Sequence, residues 1–179
     1  NDVDTFWKLL KQTAKQDQFS THPKEYYEKL LRFFKSGNEL RTKLFLVKLN
    51  DGQAIGGAIV MIYHNTAYYL HGAMDRGYKS LMAPYFMHWE IIKFLKLTNN
   101  NLQPITYYDF WGIDAGKWPG VTRFKLGWLG SPASPETRVE AGPKHGEGGG
   151  GRLIEYPGSF DMPVSRLWYL VYSLARKVL

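Results

Sequence analysis

The sequence predicts an α/β fold, in which helices flank a mixed, mainly antiparallel sheet. Three strand-like runs at 44–49, 54–63 and 67–73 are separated by turn residues, as in an antiparallel meander. Segments with helical apolar spacing precede and follow these runs. The chain has 179 residues, enough for one hydrophobic core, so we expect one domain over residues 1–179.

Two helices are expected before the first strand. Asp4 is a suitable N-cap for the first helix, because its carboxylate can accept a hydrogen bond from an unpaired backbone N–H. The apolar face of this helix consists of Phe6, Leu9, Leu10 and Thr13. Pro23 suits the first position of the second helix. The buried face of the second helix consists of Tyr27, Leu30, Leu31 and Phe34, and Ser36-Gly37-Asn38 ends it.

Turns and helices separate the remaining strands. Asn50-Asp51-Gly52 is a hairpin signal after the first strand, and His64-Asn65 turns the chain into the third. A helix from Pro84 is expected next, followed by a central strand at 105–110 and a partly helical segment at 118–127. Tyr85, Trp89 and Ile92 are expected on one face of the helix from Pro84.

The C-terminal part of the chain contains a long polar segment. Residues 131–151 are rich in glycine and proline and are predicted to form a flexible loop. The glycine run at 148–151 is not followed by Lys-Ser or Lys-Thr, so it does not predict a phosphate-binding loop. A last strand at 152–156 and a helix after Pro163 are expected to follow.

Composition narrows the function classes. A net charge of +7 favours anionic partners, such as nucleic acid, a nucleotide-linked substrate or an anionic membrane face. The chain has no cysteine, which excludes disulfides, thiolate metal sites and cysteine nucleophiles. His64, His71 and His88 fall on different elements, so no metal site is expected. Without an apolar run of membrane-spanning length or a signal peptide, we expect a cytoplasmic protein, or one peripheral at the inner membrane face.

Four stretches carry a family resemblance. They are TAKQDQFSTHPKEYY at 13–27, AYYLHGA at 67–73, YDFWGID at 108–114 and WPGVTRFKLGWLG at 118–130. In this order they resemble the second domain of the Fem family of peptidoglycan-bridge aminoacyltransferases. The resemblance implies an acetyltransferase-like (GNAT) fold, usually found as two domains in tandem. This chain holds about one such domain, and is either a fragment of a tandem enzyme or a solitary domain.

The resemblance also implies a reaction. An amino acid would move from aminoacyl-tRNA to the side-chain amine of the third residue of a peptidoglycan stem peptide. The acceptor would be a UDP-linked or lipid-linked muropeptide, and a basic chain suits both polyanionic substrates. No cofactor is implied, because aminoacyl-tRNA is itself the donor. A second GNAT domain or a homodimer partner is expected, since the acceptor site of two-domain relatives draws on both domains.

Several site residues follow from the resemblance. A family Phe-Lys pair falls on Phe124 and Lys125, with Lys125 acting on the oxyanion or the tRNA end and Phe124 shaping the pocket. The competing interpretation is a core Phe beside a solvated Lys. Arg123, beside this pair, is either a phosphate contact or an arginine on an exposed helix face. The attacking amine must lose a proton, and Asp109 and Asp114 are the candidate carboxylates to accept it. The alternative for Asp109 is that it accepts backbone hydrogen bonds in a turn.

Acceptor-binding positions come from the first two stretches. A family Arg and Tyr that hold the acceptor's phosphates fall on His22 and Tyr26. The histidine is a departure from the family, because an ordinary imidazole is mostly neutral at pH 7. A family Tyr falls on Tyr69, whose neighbour Tyr68 is expected to point to the opposite face of the strand.

Two other functions remain open. A coenzyme-A-dependent N-acetyltransferase would need an Arg/Gln-x-x-Gly-x-Gly/Ala loop that presents backbone amides to a pyrophosphate. The closest segment, Arg123 to Gly127, does not have that spacing. A non-catalytic GNAT module that binds a muropeptide or RNA is the second alternative.

Overall fold

The computed structural model describes residues 2–33, 40–97, 104–129, 140–141 and 153–154. Its helices are α1 (Asp2–Asp17), α2 (Lys24–Phe33), α3 (Ala83–Leu97) and α4 (Pro119–Leu126). Its strands are β1 (Leu40–Lys48), β2 (Ala54–Tyr63), β3 (Thr66–Met74), β4 (Tyr107–Asp109) and β5 (Glu140–Ala141). Short 3₁₀ segments at Arg76–Leu81 and Gly127–Leu129 adjoin α3 and α4.

The strands form one sheet in the order β1-β2-β3-β4-β5. β1, β2 and β3 make the predicted antiparallel meander, and β2 has the predicted bounds. β4 pairs with β3 in parallel, whereas β5 pairs with β4 antiparallel. The predicted mixed, mainly antiparallel sheet is therefore confirmed.

The N-terminal helices are as predicted except at their ends. Asp4 is not an N-cap, because α1 already begins at Asp2. Asp4 lies in the first turn, where its Oδ1 accepts a hydrogen bond from the Lys24 Nζ at 2.5 Å. α2 begins one residue after Pro23. Phe34 and the predicted stop at residues 36–38 lie outside the described residues.

The sheet has a core on each face. One core joins α1 and α2 to the sheet through Phe6, Tyr27 and Ile59, and the other joins α3 through residues such as Val60 and Ile91. α1 comes very close to β2 at Gly57, where a Cβ would lie 2.9 Å from the Phe6 ring. Glycine at this position therefore permits the close packing of α1 on the sheet.

The face of α3 that carries Tyr85, Trp89 and Ile92 is not its buried face. Tyr85 and Trp89 are exposed, and Ile92 is only partly buried. The buried residues of this helix are Ala83, Met87, His88, Ile91 and Leu95. Large apolar residues occur all around α3, so their spacing does not distinguish the face that meets the sheet.

The C-terminal elements are only partly described. β4 is shorter than the predicted strand at 105–110, while α4 and the following 3₁₀ segment confirm partial helicity at 118–127. Within the loop predicted at 131–151, residues 140–141 form β5 and the others lie outside the described residues. Leu153 forms a single bridge within the strand predicted at 152–156. The helix predicted after Pro163 lies outside the described residues.

Candidate active site

A pocket of about 370 Å³ lies at the end of β3. Its walls come from the end of α1, the end of β3, the 3₁₀ segment Arg76–Leu81, and the first turns of α3 and α4. Apolar side chains make most of the wall, with Tyr69, Met87 and Phe124 among them. Such a volume and lining are typical of sites for small ligands or parts of larger ones.

The rim of the pocket is basic. Among the described residues, Arg76, Lys79 and Arg123 line it, against one acidic residue, Asp17. Asp17 forms an ion pair with Arg76 and so neutralises that side chain. The first turn of α4 also reaches the rim at Gly120, and no side chain caps this helix start. Basic side chains and helix N-termini together make the rim suitable for an anionic group.

Tyr69 owes its position to a bulge in β3. Val60 pairs with Tyr69 and the adjacent Ile59 pairs with His71, which leaves Leu70 as an extra residue. The bulge brings Tyr69 and Gly72 together, and a Cβ on Gly72 would collide with the Tyr69 hydroxyl. Tyr69 lines the pocket, and burial raises its pKa to about 12.

The two neighbouring tyrosines of β3 have different surroundings. The ring of Tyr68 contacts Trp111, with ring centroids 5.9 Å apart. The ring of Tyr69 instead packs edge-on against His88, at 4.4 Å between centroids. Of these two tyrosines, only Tyr69 lines the pocket.

Lys125 is buried behind the pocket wall. It is only 7% exposed, and its Nζ donates a hydrogen bond of 2.7 Å to the carbonyl oxygen of Gly112. The Nζ lies 5.8 Å from the centroid of the Tyr69 ring. Burial lowers the pKa of Lys125 to about 8, and the charge of Asp109 opposes this shift. The side chain is therefore not a solvated surface lysine, although it does not itself line the pocket.

Phe124 and Arg123 belong to the pocket itself. The Phe124 ring packs edge-on against Tyr85, which also lines the pocket, at 4.9 Å between centroids. Arg123 is exposed at the rim. α4 therefore places three consecutive candidates, Arg123 to Lys125, at the rim, in the wall and behind the wall of one pocket.

His88 lies in a buried aromatic box next to Lys125. Its Nδ1 is 2.7 Å from the Tyr108 hydroxyl, whereas its Nε2 has no hydrogen-bond partner in the described part of the chain. The surrounding rings are those of Tyr69, Tyr108, Phe110, Phe124 and Trp128. Burial, and then the charge of Lys125, lowers the pKa of His88 to about 3, so the imidazole is neutral at pH 7.

The candidate carboxylates hold turns. Asp109 Oδ1 accepts a hydrogen bond of 2.7 Å from the backbone N–H of Trp111, a residue with a φ of 63°. Asp114 Oδ1 accepts one of 2.8 Å from the backbone N–H of Lys117. Both carboxylates therefore stabilise the backbone between β4 and α4, which is the turn-forming alternative for Asp109.

His22 and Tyr26 form a second group on the α1–α2 side of the sheet. Their rings stack at 4.2 Å between centroids. The backbone N–H of His22 donates to the hydroxyl of Tyr27, whose ring lies 5.2 Å from that of His71. Burial, and then the charge of His22, lowers the pKa of His71 to about 4. Neither His22 nor Tyr26 lines the pocket beside Tyr69.

Lys79, His71, Gly72 and His88 are among the residues of these sites that sequence reasoning missed. Lys79 could have been found from the sequence, because it is a basic residue between a predicted strand and the start of a predicted helix. His71, Gly72 and His88 offer no such signal, because their roles depend on the bulge and on contacts between distant residues.

Two further properties concern the described residues alone. They contain no group of three or more His, Cys, Asp or Glu side chains placed to hold a metal ion. None of the helices they form combines the length and the apolar character needed to span a membrane.

Comparisons with known proteins give relatives for part of the chain. Over 82 residues it is 30% identical to the Lipid II:glycine glycyltransferase of two strains of Staphylococcus epidermidis. That match covers 45% of this chain and 18% of the relatives' length.

Solved structures with a similar shape include two acetyltransferases. The ribosomal-protein-S18-alanine N-acetyltransferase from Escherichia coli is 11% identical, covers 89% of this chain and 94% of its own, and has a TM-score of 0.49. An acetyltransferase from Bacillus cereus is 14% identical, covers 42% and 59%, and has a TM-score of 0.29.

The family model for the acetyltransferase (GNAT) domain matches residues 1–126. The matched segment runs from α1 to the last residue of α4 and therefore includes the meander and every wall of the pocket. The predicted GNAT fold is thus confirmed, and the chain belongs to the acetyltransferase (GNAT) domain family.

Proposed function

We propose that this domain is a GNAT-type acyltransferase that moves an amino acid from aminoacyl-tRNA to the stem-peptide amine of a peptidoglycan precursor. The observation that carries the proposal is the buried ammonium of Lys125, held directly behind the wall of a basic-rimmed pocket. Partial similarity to a Lipid II:glycine glycyltransferase supports it, since that name pairs glycyl transfer with lipid II.

Lys125 would stabilise the charge that develops during transfer. Attack of the acceptor amine on the aminoacyl ester forms a C–N bond and places negative charge on the carbonyl oxygen. A cation about 6 Å away, at an effective dielectric constant of ~20, stabilises such an oxygen by about 3 kcal/mol. With a pKa of about 8, Lys125 is cationic in most molecules at pH 7. One N–H is bonded to Gly112, which leaves two donors.

The rest of the reaction needs a proton acceptor. Asp109 and Asp114 each hold a backbone N–H and are poorly placed to act as the base. The ribose oxygen of the tRNA leaves as the ester C–O bond breaks, and we assign to it the proton that the amine loses. Neutral His88 keeps the space behind the wall free of a second positive charge.

The pocket suits the 3′ end of the donor. Its volume of about 370 Å³ accommodates a nucleoside-sized group rather than a whole nucleic acid. Tyr85 and Phe124 offer aromatic surface on which a base can stack, and Lys79 and Arg123 can hold its phosphates. His22 and Tyr26 are assigned to the acceptor, in keeping with the family resemblance.

A transfer assay with labelled aminoacyl-tRNA and UDP-linked or lipid-linked muropeptide tests the proposal. Lys125→Met is expected to lower the transfer rate by about 10²-fold or more, because it removes the cation while keeping the apolar stem. Lys117→Met is the matched control, since this exposed lysine lies just before the same helix. Full activity of a folded Lys125→Met protein would remove Lys125 from the mechanism.

Coenzyme-A-dependent acetylation is the second candidate. The basic segment around Lys79 immediately precedes α3, and GNAT acetyltransferases cradle a pyrophosphate at a helix start of this kind. Titration calorimetry with coenzyme A separates the two functions: micromolar affinity would favour acetyl transfer over aminoacyl transfer.

A further inference from the structure

The outer face of α3 carries an exposed apolar stripe. Met82, at the N-terminal boundary of the helix, is followed by Phe86, Trp89 and Leu97 at spacings that keep all four on one side. Each of these side chains is more than half exposed, and so is that of the adjacent Leu81. Folded proteins seldom expose a continuous apolar surface that has no use in binding.

Basic residues border the stripe. Residues 76–97 contain four Lys and Arg residues and one acidic residue, Glu90. The carboxylate of Glu90 accepts a hydrogen bond of 2.7 Å from Lys93, which lies on the stripe between Trp89 and Leu97. Lys79 and Lys96 stand exposed near either end. The surface therefore combines an exposed apolar stripe with an exposed lysine near either end.

We propose that this stripe docks on an anionic lipid surface, with Phe86 and Trp89 entering the headgroup region and the lysines contacting lipid phosphates. Helices that lie on membranes combine aromatic and aliphatic side chains with flanking lysines in this way. A symmetric contact with a second copy would bring two basic borders together, which like-charge repulsion disfavours. The inference stands apart from the proposed function.

Docking would also orient the pocket. Met82 belongs to the stripe and lines the pocket, and Lys79 lies both on the basic border and on the pocket rim. A protein held by the stripe therefore has its pocket mouth next to the lipid headgroups. A substrate anchored in the same surface would reach the pocket without crossing open solvent.

Vesicle sedimentation tests the inference. The full chain is expected to bind vesicles of phosphatidylglycerol and phosphatidylcholine, and to bind pure phosphatidylcholine much more weakly.

Phe86→Ser/Trp89→Ser is expected to reduce binding about tenfold or more, since it removes the aromatic anchors. Lys93→Gln/Lys96→Gln should reduce it about tenfold, with less dependence on salt. Phe19→Ser/Tyr63→Ser, a pair of exposed aromatic residues on other segments, is the matched control and should bind as the wild type does.

Three results would overturn the inference. One is equal binding of the stripe variant and its aromatic control, with circular dichroism showing that both are folded. Another is wild-type binding that is absent or does not depend on anionic lipid. The third is a wild-type dimer in light scattering that Phe86→Ser/Trp89→Ser converts to a monomer, which would assign the stripe to a second copy.

Discussion

Lys125 holds a positive charge where burial makes that charge unfavourable. Its pKa is lowered to about 8, so the folded chain binds this proton less tightly than the unfolded chain does. Groups kept in such surroundings are often retained for chemistry rather than for stability. The same residue is therefore open to a test that does not depend on any substrate.

Lys125→Met is expected to raise the free energy of unfolding at pH 7 by roughly 1–3 kcal/mol. The carbonyl of Gly112 lies on an exposed residue, so water can replace the hydrogen bond that is lost. Between pH 8 and 10.5 the unfolded lysine is still charged while the folded one is neutral, so the wild type gains stability as pH rises. Denaturant unfolding at pH 7 and pH 10 should show the advantage of the variant shrinking. A variant less stable than the wild type at pH 7 would contradict this account.

The sequence indicates the position of Lys125 but not its surroundings. The motif around residues 118–130 singles it out, and the resemblance supplies a role. Its burial depends on the carbonyl of Gly112 and on Tyr69, which are 13 and 56 positions away in the chain. Contacts over such distances are set by tertiary packing, which local patterns do not encode.

At the scale of the element, β3 depends on one bulge and one glycine. Leu70 shifts the register, so Tyr69 and His71 face different cores although they are two positions apart. An alternating pattern would place them on the same face. The strand is therefore predictable from its sequence, whereas the bulge, and with it the relative directions of Tyr69 and His71, is not.

Gly72→Ala is expected to displace the Tyr69 ring and to lower the free energy of unfolding by about 1–3 kcal/mol, as overpacking of a buried contact does. Gly120→Ala is the matched control, because Gly120 also lines the pocket and a Cβ there would meet nothing within 4 Å. Denaturant unfolding of both variants measures the difference. A Gly72→Ala protein as stable as the Gly120→Ala protein would show that Tyr69 moves aside at no cost.

α3 shows why an element can be predicted while its orientation is not. The helix begins within one residue of the predicted start at Pro84. Apolar spacing does not identify its buried face, because the exposed Phe86, Trp89 and Leu97 are as apolar as the residues that meet the sheet. Which face is buried follows from the approach of β1 and β2, and that information lies elsewhere in the chain.

At the scale of the whole molecule, the buried His88 and the partly buried His71 make stability sensitive to acid. The pKa of His71 is lowered to about 4 on one side of the sheet, and that of His88 to about 3 on the other. Both are neutral when folded at pH 5, whereas an unfolded histidine with a pKa of about 6.5 is charged. The contribution of these two histidines to the free energy of unfolding is therefore complete above pH 6.5. It is lost as the pH falls toward 4 for His71 and toward 3 for His88.

Lowering the pH from 6.5 to 5 is expected to reduce the free energy of unfolding by about 2 kcal/mol for each of these histidines. His71→Gln should reduce the loss between the two pH values by that amount, whatever its effect at pH 6.5. An unchanged pH dependence in His71→Gln would show that the imidazole is charged in the folded protein.

The overall architecture was the most predictable level. Turn residues at 50–52 and 64–65 delimit the meander, and helical spacing identifies α1 and α2. The sequence predicts a mixed sheet but does not identify β3 as the parallel partner of β4, because a strand of three residues carries too little pattern to reveal its partner. The assembly of the pocket was equally hidden, since it needs the relative placement of every element.

The walls of that pocket are supplied by segments lying between Thr13 and Phe124, so no short stretch of the chain builds it. A molecule that fits there has nothing to hold until α1, β3, α3 and α4 have all docked. Such a ligand would therefore bind and stabilise the fully folded protein, but it would not bind partly folded states in which one of these elements is undocked. During refolding, the rate at which ligand binding appears would therefore report the rate at which the last of these elements docks.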